Sequence, residues 1–176
     1  MLETKKTKTS SVSTDSMDVY KDAILVEVVI EIPRGSFLKR GSTGELDFIS
    51  PLPCPFNYGS IPAFIGLEGD LLDAVVLGPR LAVGEKVTVY AWGAIGLTDR
   101  GLYDDKLICS QVPISQWKQQ LILIFFKIYA RAKSLLNMTR GRKGLNRCEG
   151  WDKAERALSR ATPRAHIDWK GPTIPF

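Results

Sequence analysis

Short apolar runs, some alternating with polar residues, occupy the first two thirds of the chain and predict β-strands. Turn residues bound these runs, which are Ala23 to Ile32, Glu45 to Ile49, Ala74 to Leu77, Lys86 to Trp92 and Leu107 to Val112. In the fourth run, Val87, Val89 and Ala91 share one face, as in a half-buried strand. Several short strands closed by turns predict a small β-barrel. Asn57-Tyr58-Gly59 follows a proline-rich stretch and is predicted to be loop, because Asn and Gly suit positive φ.

The hydrophobic pattern changes to a helical one after residue 115. Gln116 to about Leu136 contains neither Pro nor Gly and predicts a long helix, with Ser115 as its N-cap. A shorter helix is expected after Trp151, with Asp152 in its first turn, where the helix dipole favours an acid. The pattern therefore predicts an α+β fold that is mainly β.

Composition predicts one domain between two tails. The chain has 176 residues, of which 44% are apolar, enough for a single core. Residues 1–17 are mainly Lys, Ser and Thr, and are expected to form a disordered tail. The domain is predicted to span residues 18–162. Residues 163–176 contain three prolines and are expected to form an extended tail.

Several classes of protein are not expected. No apolar run approaches the roughly 18 to 20 residues that span a bilayer, and the N-terminus has no secretory apolar segment. Three cysteines without metal-ligand spacing are typical of reduced thiols in a cytoplasmic protein. The net charge is +5, but Lys and Arg are scattered as far as Arg140, so nucleic acid is not an expected partner.

Carboxylates are dense in two segments of this basic chain. Glu68, Asp70 and Asp73 fall within six residues, and Asp99 and Asp104 follow about thirty residues later. Oxygen ligands of this kind suit Mg²⁺, and clustered carboxylates repel one another unless cations hold them together. A metal site drawn from both segments is therefore the first hypothesis, and a solvated acidic loop is the alternative.

An ordered series of motifs links these acids to a known family. The series is Glu31-Ile32-Pro33, Lys39, Asn57-Tyr58-Gly59, the acidic hexapeptide, Asp99, Asp104, Lys106, Tyr129 and Glu149-Gly150-Trp151. It resembles the soluble family I inorganic pyrophosphatases over roughly residues 20 to 160. Their signature D-x-D-P-x-D stands here as Glu68-Gly69-Asp70-Leu71-Leu72-Asp73, with two departures.

The resemblance implies a five-stranded OB-like barrel flanked by two C-terminal helices, which hydrolyses pyrophosphate to two phosphates with Mg²⁺. By carry-over, Glu68, Asp73 and Asp104 hold the activating metal and Asp70 accepts the proton of the attacking water. The metal that arrives with substrate is assigned to Asp99 and Asp104, with Glu31 acting through its waters. The phosphate-binding residues are Lys39, Lys106 and Tyr129, and Tyr58 orients the site from its rim.

Four positions depart from the family pattern: Gly41, Ser50, Cys54 and Ala130. Cations are expected at Ser50 and Ala130, so two phosphate-binding charges are missing, and Arg40 or Arg131 are candidate substitutes. Three hypotheses remain open. The chain is a pyrophosphatase of reduced activity, a phosphohydrolase of an organic diphosphate (prenyl or nucleoside), or a non-catalytic relative with a binding or assembly role.

The long helix also predicts an interface. Leu121 to Tyr129 is apolar nearly all the way round, so packing on a barrel leaves one apolar face uncovered. The bacterial pyrophosphatases that the chain resembles form hexamers partly through this helix, and Ile124 and Ile128 are the candidate contacts. A homo-oligomer is expected, with a hexamer favoured over a dimer. A monomer whose C-terminal tail covers that face is the alternative.

Overall fold

The computed structural model describes residues 20, 23–40, 46–49, 53–99, 101–139, 146–166, 168, 170 and 171. The strands in this part of the chain are β1 (Ile24–Ile32), β2 (Leu38–Arg40), β3 (Leu46–Ile49), β4 (Asn57–Ile65), β5 (Leu71–Val76), β6 (Lys86–Asp99), β7 (Leu102–Ser110), β8 (Arg147–Asp152) and β9 (Thr162–Pro163). The helices are α1 (Gln116–Thr139) and α2 (Ala154–Arg160), and a 3₁₀ turn covers Arg164–His166.

Five strands close into a barrel, in the order β1-β4-β5-β7-β6, because β6 also pairs with β1. The pairings are antiparallel except that between β5 and β7, which is parallel. Strand β8 extends the sheet beside β6, and β9 pairs with β4. This architecture confirms the predicted mainly-β fold, a five-stranded barrel with two helices after it.

The barrel separates two hydrophobic clusters. The first draws buried side chains from all five barrel strands, so it fills the interior, and Ala154 and Ala157 of α2 join it. The second lies outside, where residues of β5, β6 and β7 pack against Ile122 and Phe126 of α1. The outer face of these three strands is therefore apolar beneath α1, and the acidic residues lie along the same face.

Helix α1 has two contrasting faces. Ile122, Phe126 and Ala130 are buried on one side. The opposite side carries a stripe of exposed apolar residues, which comprises Trp117, Leu121, Ile124, Ile128 and Leu135. In the part of the chain that is described, neither helix combines the length and the apolar character needed to cross a membrane.

The structure differs from the sequence-based predictions in four places. Asn57-Tyr58-Gly59 is not loop but the first part of β4, and Asp104 lies within β7 rather than in a loop. Strand β8 was not predicted. Asp152 ends that strand, where its Oδ1 accepts a hydrogen bond of 2.8 Å from the Lys153 amide, and the acid in the first turn of α2 is Glu155. The predicted tail at residues 1–17 lies outside the described residues.

Candidate active site

Strand register brings residues that are distant in sequence onto one outer wall of the barrel. Asp73 of β5 is the register partner of Lys106 on β7, and Ser60 of β4 is the partner of Asp73 on its other side. Asp104 precedes Lys106 by two residues and so shares its face. The neighbouring strands β5 and β7 thus place two carboxylates around one ammonium group, and Ser60 of β4 lies beside them.

Lys106 is the centre of this arrangement. Its side chain is buried, and its Nζ donates to Asp104 Oδ1 and Oδ2 at 3.0 and 2.8 Å, and also to Asp73 Oδ2. Burial alone would lower the pKa of Lys106, but Asp104 and then Asp73 outweigh it and hold the pKa well above its ordinary value. Burial also raises the pKa of Asp104, despite the opposing charge of Lys106. The lysine therefore remains charged, next to an Asp104 carboxylate that burial makes costly to ionise.

Tyr58 extends the cluster toward β4. Its hydroxyl donates to Asp73 Oδ2, the oxygen that also accepts from Lys106, and Lys106 Nζ lies 5.4 Å from the centre of its ring. Burial, followed by the charge of Asp73, raises the pKa of Tyr58 well above its ordinary value. Tyr58 is thus a neutral donor that helps to orient Asp73.

The neighbours of Tyr58 explain why this strand holds it in place. The buried Asn57 side chain accepts from the amides of Arg34 and Leu81 at 3.0 and 2.9 Å, and donates to the carbonyls of Val76 and Pro79 at 3.3 and 2.8 Å. This amide therefore uses its full hydrogen-bonding capacity and ties three segments together.

Gly59 allows β1 to approach on the other side of Tyr58. A Cβ at this position would lie 2.0 Å from the Val29 carbonyl oxygen, which no side chain can tolerate. The glycine of the Asn-Tyr-Gly motif is thus required by close backbone approach rather than by positive φ.

Glu68 and Asp70 come from the turn between β4 and β5. Gly69 has φ +86, and the Gly66 amide donates to the Asp70 carbonyl at 2.8 Å. The Glu68 carboxylate folds back over Gly66, where a Cβ would lie 2.5 Å from Oε1. Asp70 Oδ1 accepts a hydrogen bond of 2.7 Å from the Leu71 amide, which fixes the orientation of that carboxylate. The longer side chain of Glu68 is therefore accommodated by a glycine.

The Glu68 carboxyl group is electrostatically strained. Its Oε2 is buried without a hydrogen-bond partner in the described part of the structure. Burial, then the charges of Asp104 and Asp73, raise its pKa to about 8. A buried polar atom without a partner is costly, so this oxygen is a candidate ligand for a cation.

The donor chemistry fits a hard divalent cation, although the described residues do not form a finished cage. Among them, no three His, Cys, Asp or Glu side chains are grouped closely enough to hold a metal ion. Nevertheless, Glu68, Asp73 and Asp104 supply only carboxylate oxygens, the ligands that Mg²⁺ prefers, and they feel one another's charge. Asp73 and Asp104 both pair with Lys106, so a bound ion would compete with that lysine for their oxygens.

A second group lies at the edge of this cluster, between β6 and α1. Asp99 Oδ2 accepts a hydrogen bond of 2.8 Å from Lys133 Nζ. That nitrogen lies 6.0 Å from the centre of the Tyr129 ring, one helical turn earlier. Sequence reasoning missed Lys133, although helical periodicity places residues i and i+4 on one face.

Glu31 lies on the neighbouring strand β1. Its Oε1 accepts a hydrogen bond of 2.6 Å from Ser60 Oγ, and Ser60 is the register partner of Asp73. The serine was not among the predicted site residues. It orients the Glu31 carboxylate beside the cluster.

Some of the remaining predicted positions lie outside the described residues, and the structure describes the others. Lys39 lies in β2, but its side chain and that of Arg40, and all of Gly41 and Ser50, lie outside the described residues. Ala130 is buried on the barrel-facing side of α1. Arg131 is exposed and lies two residues beyond Tyr129, which places it on the far side of the helix. Cys54 is half-buried.

Comparisons with known proteins place this chain and its fold in a family. A family model described as inorganic pyrophosphatase matches residues 28–162. The inorganic pyrophosphatase of Gluconobacter oxydans is 35% identical over 92 residues, which cover 48% of this chain and 53% of that protein. That of Neisseria meningitidis serogroup B is 29% identical over 154 residues, which cover 77% of this chain and 84% of that protein.

A solved structure agrees with these matches. The crystal structure of inorganic pyrophosphatase from Thermus thermophilus superposes with a TM-score of 0.63 and 28% identity, covering 77% of this chain and 86% of that one. The match to the Gluconobacter protein spans only about half of that protein's length. Because the family model matches most of the chain, the chain belongs to the inorganic pyrophosphatase family.

Proposed function

We propose that this chain hydrolyses inorganic pyrophosphate to two phosphates and requires Mg²⁺. The observation that carries the proposal is the convergence of Asp73, Asp104 and Lys106 on adjacent strands, next to a buried Glu68 oxygen without a hydrogen-bond partner among the described residues. Such a wall combines oxygen ligands for metal with a cation for phosphate. A pyrophosphate anion needs both, because its charge otherwise repels a nucleophile.

Two groups of carboxylates would hold the metal. Glu68, Asp73 and Asp104 are proposed to bind the activating ion, because they share one patch and their charges destabilise one another. Asp99 and Asp104, with Glu31 oriented by Ser60, are proposed to receive the ion that accompanies the substrate. When bound, such ions lower the pKa of water and polarise phosphoryl oxygens.

Asp70 is proposed as the general base that accepts the proton of the attacking water. The Leu71 amide holds one of its oxygens at 2.7 Å, so the carboxylate has a defined direction. A base acts only when it lies within hydrogen-bond reach of the proton, and the support for Asp70 is that its oriented carboxylate lies in the turn that leads directly to Asp73. Tyr58 contributes by orienting Asp73.

The substrate-binding groups are proposed to be Lys106, Tyr129 and Lys39. Lys106 remains charged inside the wall, and it can exchange an Asp104 or Asp73 oxygen for a phosphate oxygen when metal binds those acids. Tyr129 lies beside Lys133, whose Nζ donates to Asp99 at the edge of the site. For Lys39, the position in the motif series is the only support.

The deciding experiment measures phosphate release from pyrophosphate with Mg²⁺. Asp70→Asn should lower the rate by about 100-fold or more, the usual contribution of a general base. Asp168→Asn is the matched control, because the Asp168 side chain is 86% exposed. This variant should release phosphate at the wild-type rate. Release from a prenyl or nucleoside diphosphate alone would favour the organic-diphosphate hypothesis. Mg²⁺ binding without any turnover would favour a non-catalytic relative.

We also infer that the chain is a cytoplasmic homo-oligomer, and we favour a hexamer over a dimer. The support is the exposed stripe on α1, where Ile124 and Ile128 are 51% and 60% exposed on the side opposite the barrel. Light scattering at micromolar concentration should give an oligomeric mass, and Ile124→Lys/Ile128→Lys should reduce it. A monomeric mass for the wild type would refute this inference.

A further inference from the structure

The described site contains two lysines in different situations. Lys106 donates to three carboxylate oxygens, which equals the number of its N–H donors, and only 7% of its side chain is exposed. Lys133 has one hydrogen bond within the described part of the chain, to Asp99, and 28% of its side chain is exposed. Lys133 therefore has N–H donors that are not used within the described residues, and its side chain is accessible to a ligand.

The position of Lys133 on α1 directs it at the edge of the site. It lies one turn after Tyr129, with Nζ 6.0 Å from the centre of that ring and 2.8 Å from Asp99 Oδ2. Burial raises the pKa of Asp104, and the charge of Lys133 offsets part of that rise, so its field reaches the central cluster. Among nearby helix positions, Ala130 is buried and Arg131 is exposed on the far side, so neither offers a charge there.

We propose that Lys133 binds a phosphate oxygen of the substrate and replaces the cation that the chain lacks at Ala130. The Asp99 carboxylate holds the ammonium at the edge of the site. If Asp99 held a cation, its charge would be neutralised, and the Lys133 ammonium would be available to donate to a phosphate oxygen. This inference rests on the proposed pyrophosphatase function, which it deepens by naming a substrate-binding residue.

The test separates substrate binding from turnover. Lys133→Gln should raise KM for pyrophosphate by about tenfold, the usual scale of a lost charge-assisted hydrogen bond, with a smaller change in kcat. Lys133→Arg retains the charge and should stay near the wild-type KM. Lys127→Gln, which removes an exposed lysine of the same helix, is the control and should leave KM unchanged.

A binding measurement makes the result independent of catalysis. Titration of methylenediphosphonate in the presence of Mg²⁺ should show about tenfold weaker binding to Lys133→Gln than to the wild type, as expected for the same lost contact. Equal analogue affinity for the two proteins would overturn the proposal. So would tighter Mg²⁺ binding with unchanged analogue affinity, because Lys133 would then serve only to neutralise Asp99.

The two hypotheses can fail separately. If the wild type binds the analogue through Lys133 but releases no phosphate, the proposed function fails and the binding role stands. If the wild type is active and Lys133→Gln keeps its KM, only the role of Lys133 fails. Circular dichroism checks folding of each variant, and Lys133→Met, which keeps most of the apolar stem, replaces Lys133→Gln if that variant does not fold.

Discussion

Asp104 and Asp105 are neighbours on β7 whose side chains point to opposite faces of the sheet and enter very different surroundings. Asp105 accepts two hydrogen bonds from Arg160 of α2, at 2.8 and 2.9 Å, and Arg160 also donates to Asp152 at 3.0 Å. The Arg160 guanidinium lies 5.2 Å from the centre of the Tyr103 ring. Arg156 lies 3.6 Å from Asp152, so this network has two guanidinium groups for two carboxylates, and it fastens α2 to the barrel.

Asp104 belongs to a cluster whose charges do not balance. It shares the single ammonium of Lys106 with Asp73, and the nearby Glu68 has a pKa raised to about 8. A network that only stabilises the fold has no need for surplus carboxylates, which repel one another. The contrast teaches that the surplus, rather than the number of acids, distinguishes the candidate active site from a structural ion network.

The largest expected effect separates activity from stability at Asp104. Asp104→Asn should reduce phosphate release by about 10² to 10³-fold, the range found when one preorganised electrostatic contact is lost. The melting temperature without Mg²⁺ should change little, because Asp73 still pairs with Lys106. Rate assays and thermal melts of the same preparation test both. A large fall in melting temperature would instead make Asp104 structural.

At Asp105, on the opposite face of the sheet, we expect a loss of stability without a loss of activity. Arg160→Ala leaves the buried Asp105 carboxylate without its main partner and should cost about 3 kcal/mol, at the low end for breaking a buried pair. In a chain of this size that corresponds to a fall of roughly 6 to 12 °C in melting temperature. Activity per folded molecule should be retained.

Arg156→Ala is the matched control for Arg160→Ala. Arg156 lies on the same helix, but its side chain is 72% exposed and its contact with Asp152 is 3.6 Å. Exposed pairs contribute about 0.2 to 1 kcal/mol. Equal effects of the two substitutions would mean that the Asp105 network does not stabilise the fold.

Much of the fold was predictable because barrel strands carry regular apolar patterns. The alternation from Lys86 gave β6 and the Val- and Ile-rich run gave β1, since both bury one face against the interior cluster. Strand β4 was missed because its first residues, Asn and Gly, are typical of turns. What makes them strand residues is contact with distant partners, Pro79 for Asn57 and Val29 for Gly59.

The residues of the candidate site were easier to predict from the sequence than the contacts among them. The order of motifs gave Asp73, Asp104 and Lys106, and strand register does bring them together. The ion pairs among them were not predicted, because pairing depends on which side chains share a face across β5 and β7. Lys133 was missed because a replacement for the absent lysine was sought beside Tyr129 in sequence rather than one helical turn away.

A moderate effect is expected when Mg²⁺ is added. A ligand that binds only the folded protein stabilises it by mass action, by about 2.7 kcal/mol at 100 times Kd. Millimolar Mg²⁺ should therefore raise the melting temperature of the wild type, and Asp73→Asn and Asp104→Asn should abolish the rise. Arg156→Ala should keep it. An unchanged melting temperature for the wild type would remove the basis for a metal site.

A pH dependence that originates at Glu68 is the last expected effect. Its folded-state pKa of about 8 lies above the ordinary value of 4.5, so the folded protein holds the proton across a pH range in which the unfolded chain has lost it. Stability contributed by the protonated form is complete below the unfolded pKa and is lost as pH rises through the folded one. Without Mg²⁺, the free energy of unfolding should fall from about pH 5 to about pH 8.

Two variants isolate the contribution of Glu68 to the pH dependence of stability. Mg²⁺ is expected to reverse the direction of that dependence. Glu68→Gln cannot ionise and should flatten the pH dependence relative to the wild type, whereas Glu155→Gln, an exposed acid on α2, should not. Metal binding requires the deprotonated carboxylate, so stabilisation of the wild type by Mg²⁺ should grow as pH rises toward about 8. Denaturant melts at several pH values, with and without Mg²⁺, measure both slopes. If the free energy of unfolding depended on pH equally in the wild type and in Glu68→Gln, the carboxyl group of Glu68 would not be strained. The Asp104 and Asp105 clusters would then be electrostatically alike.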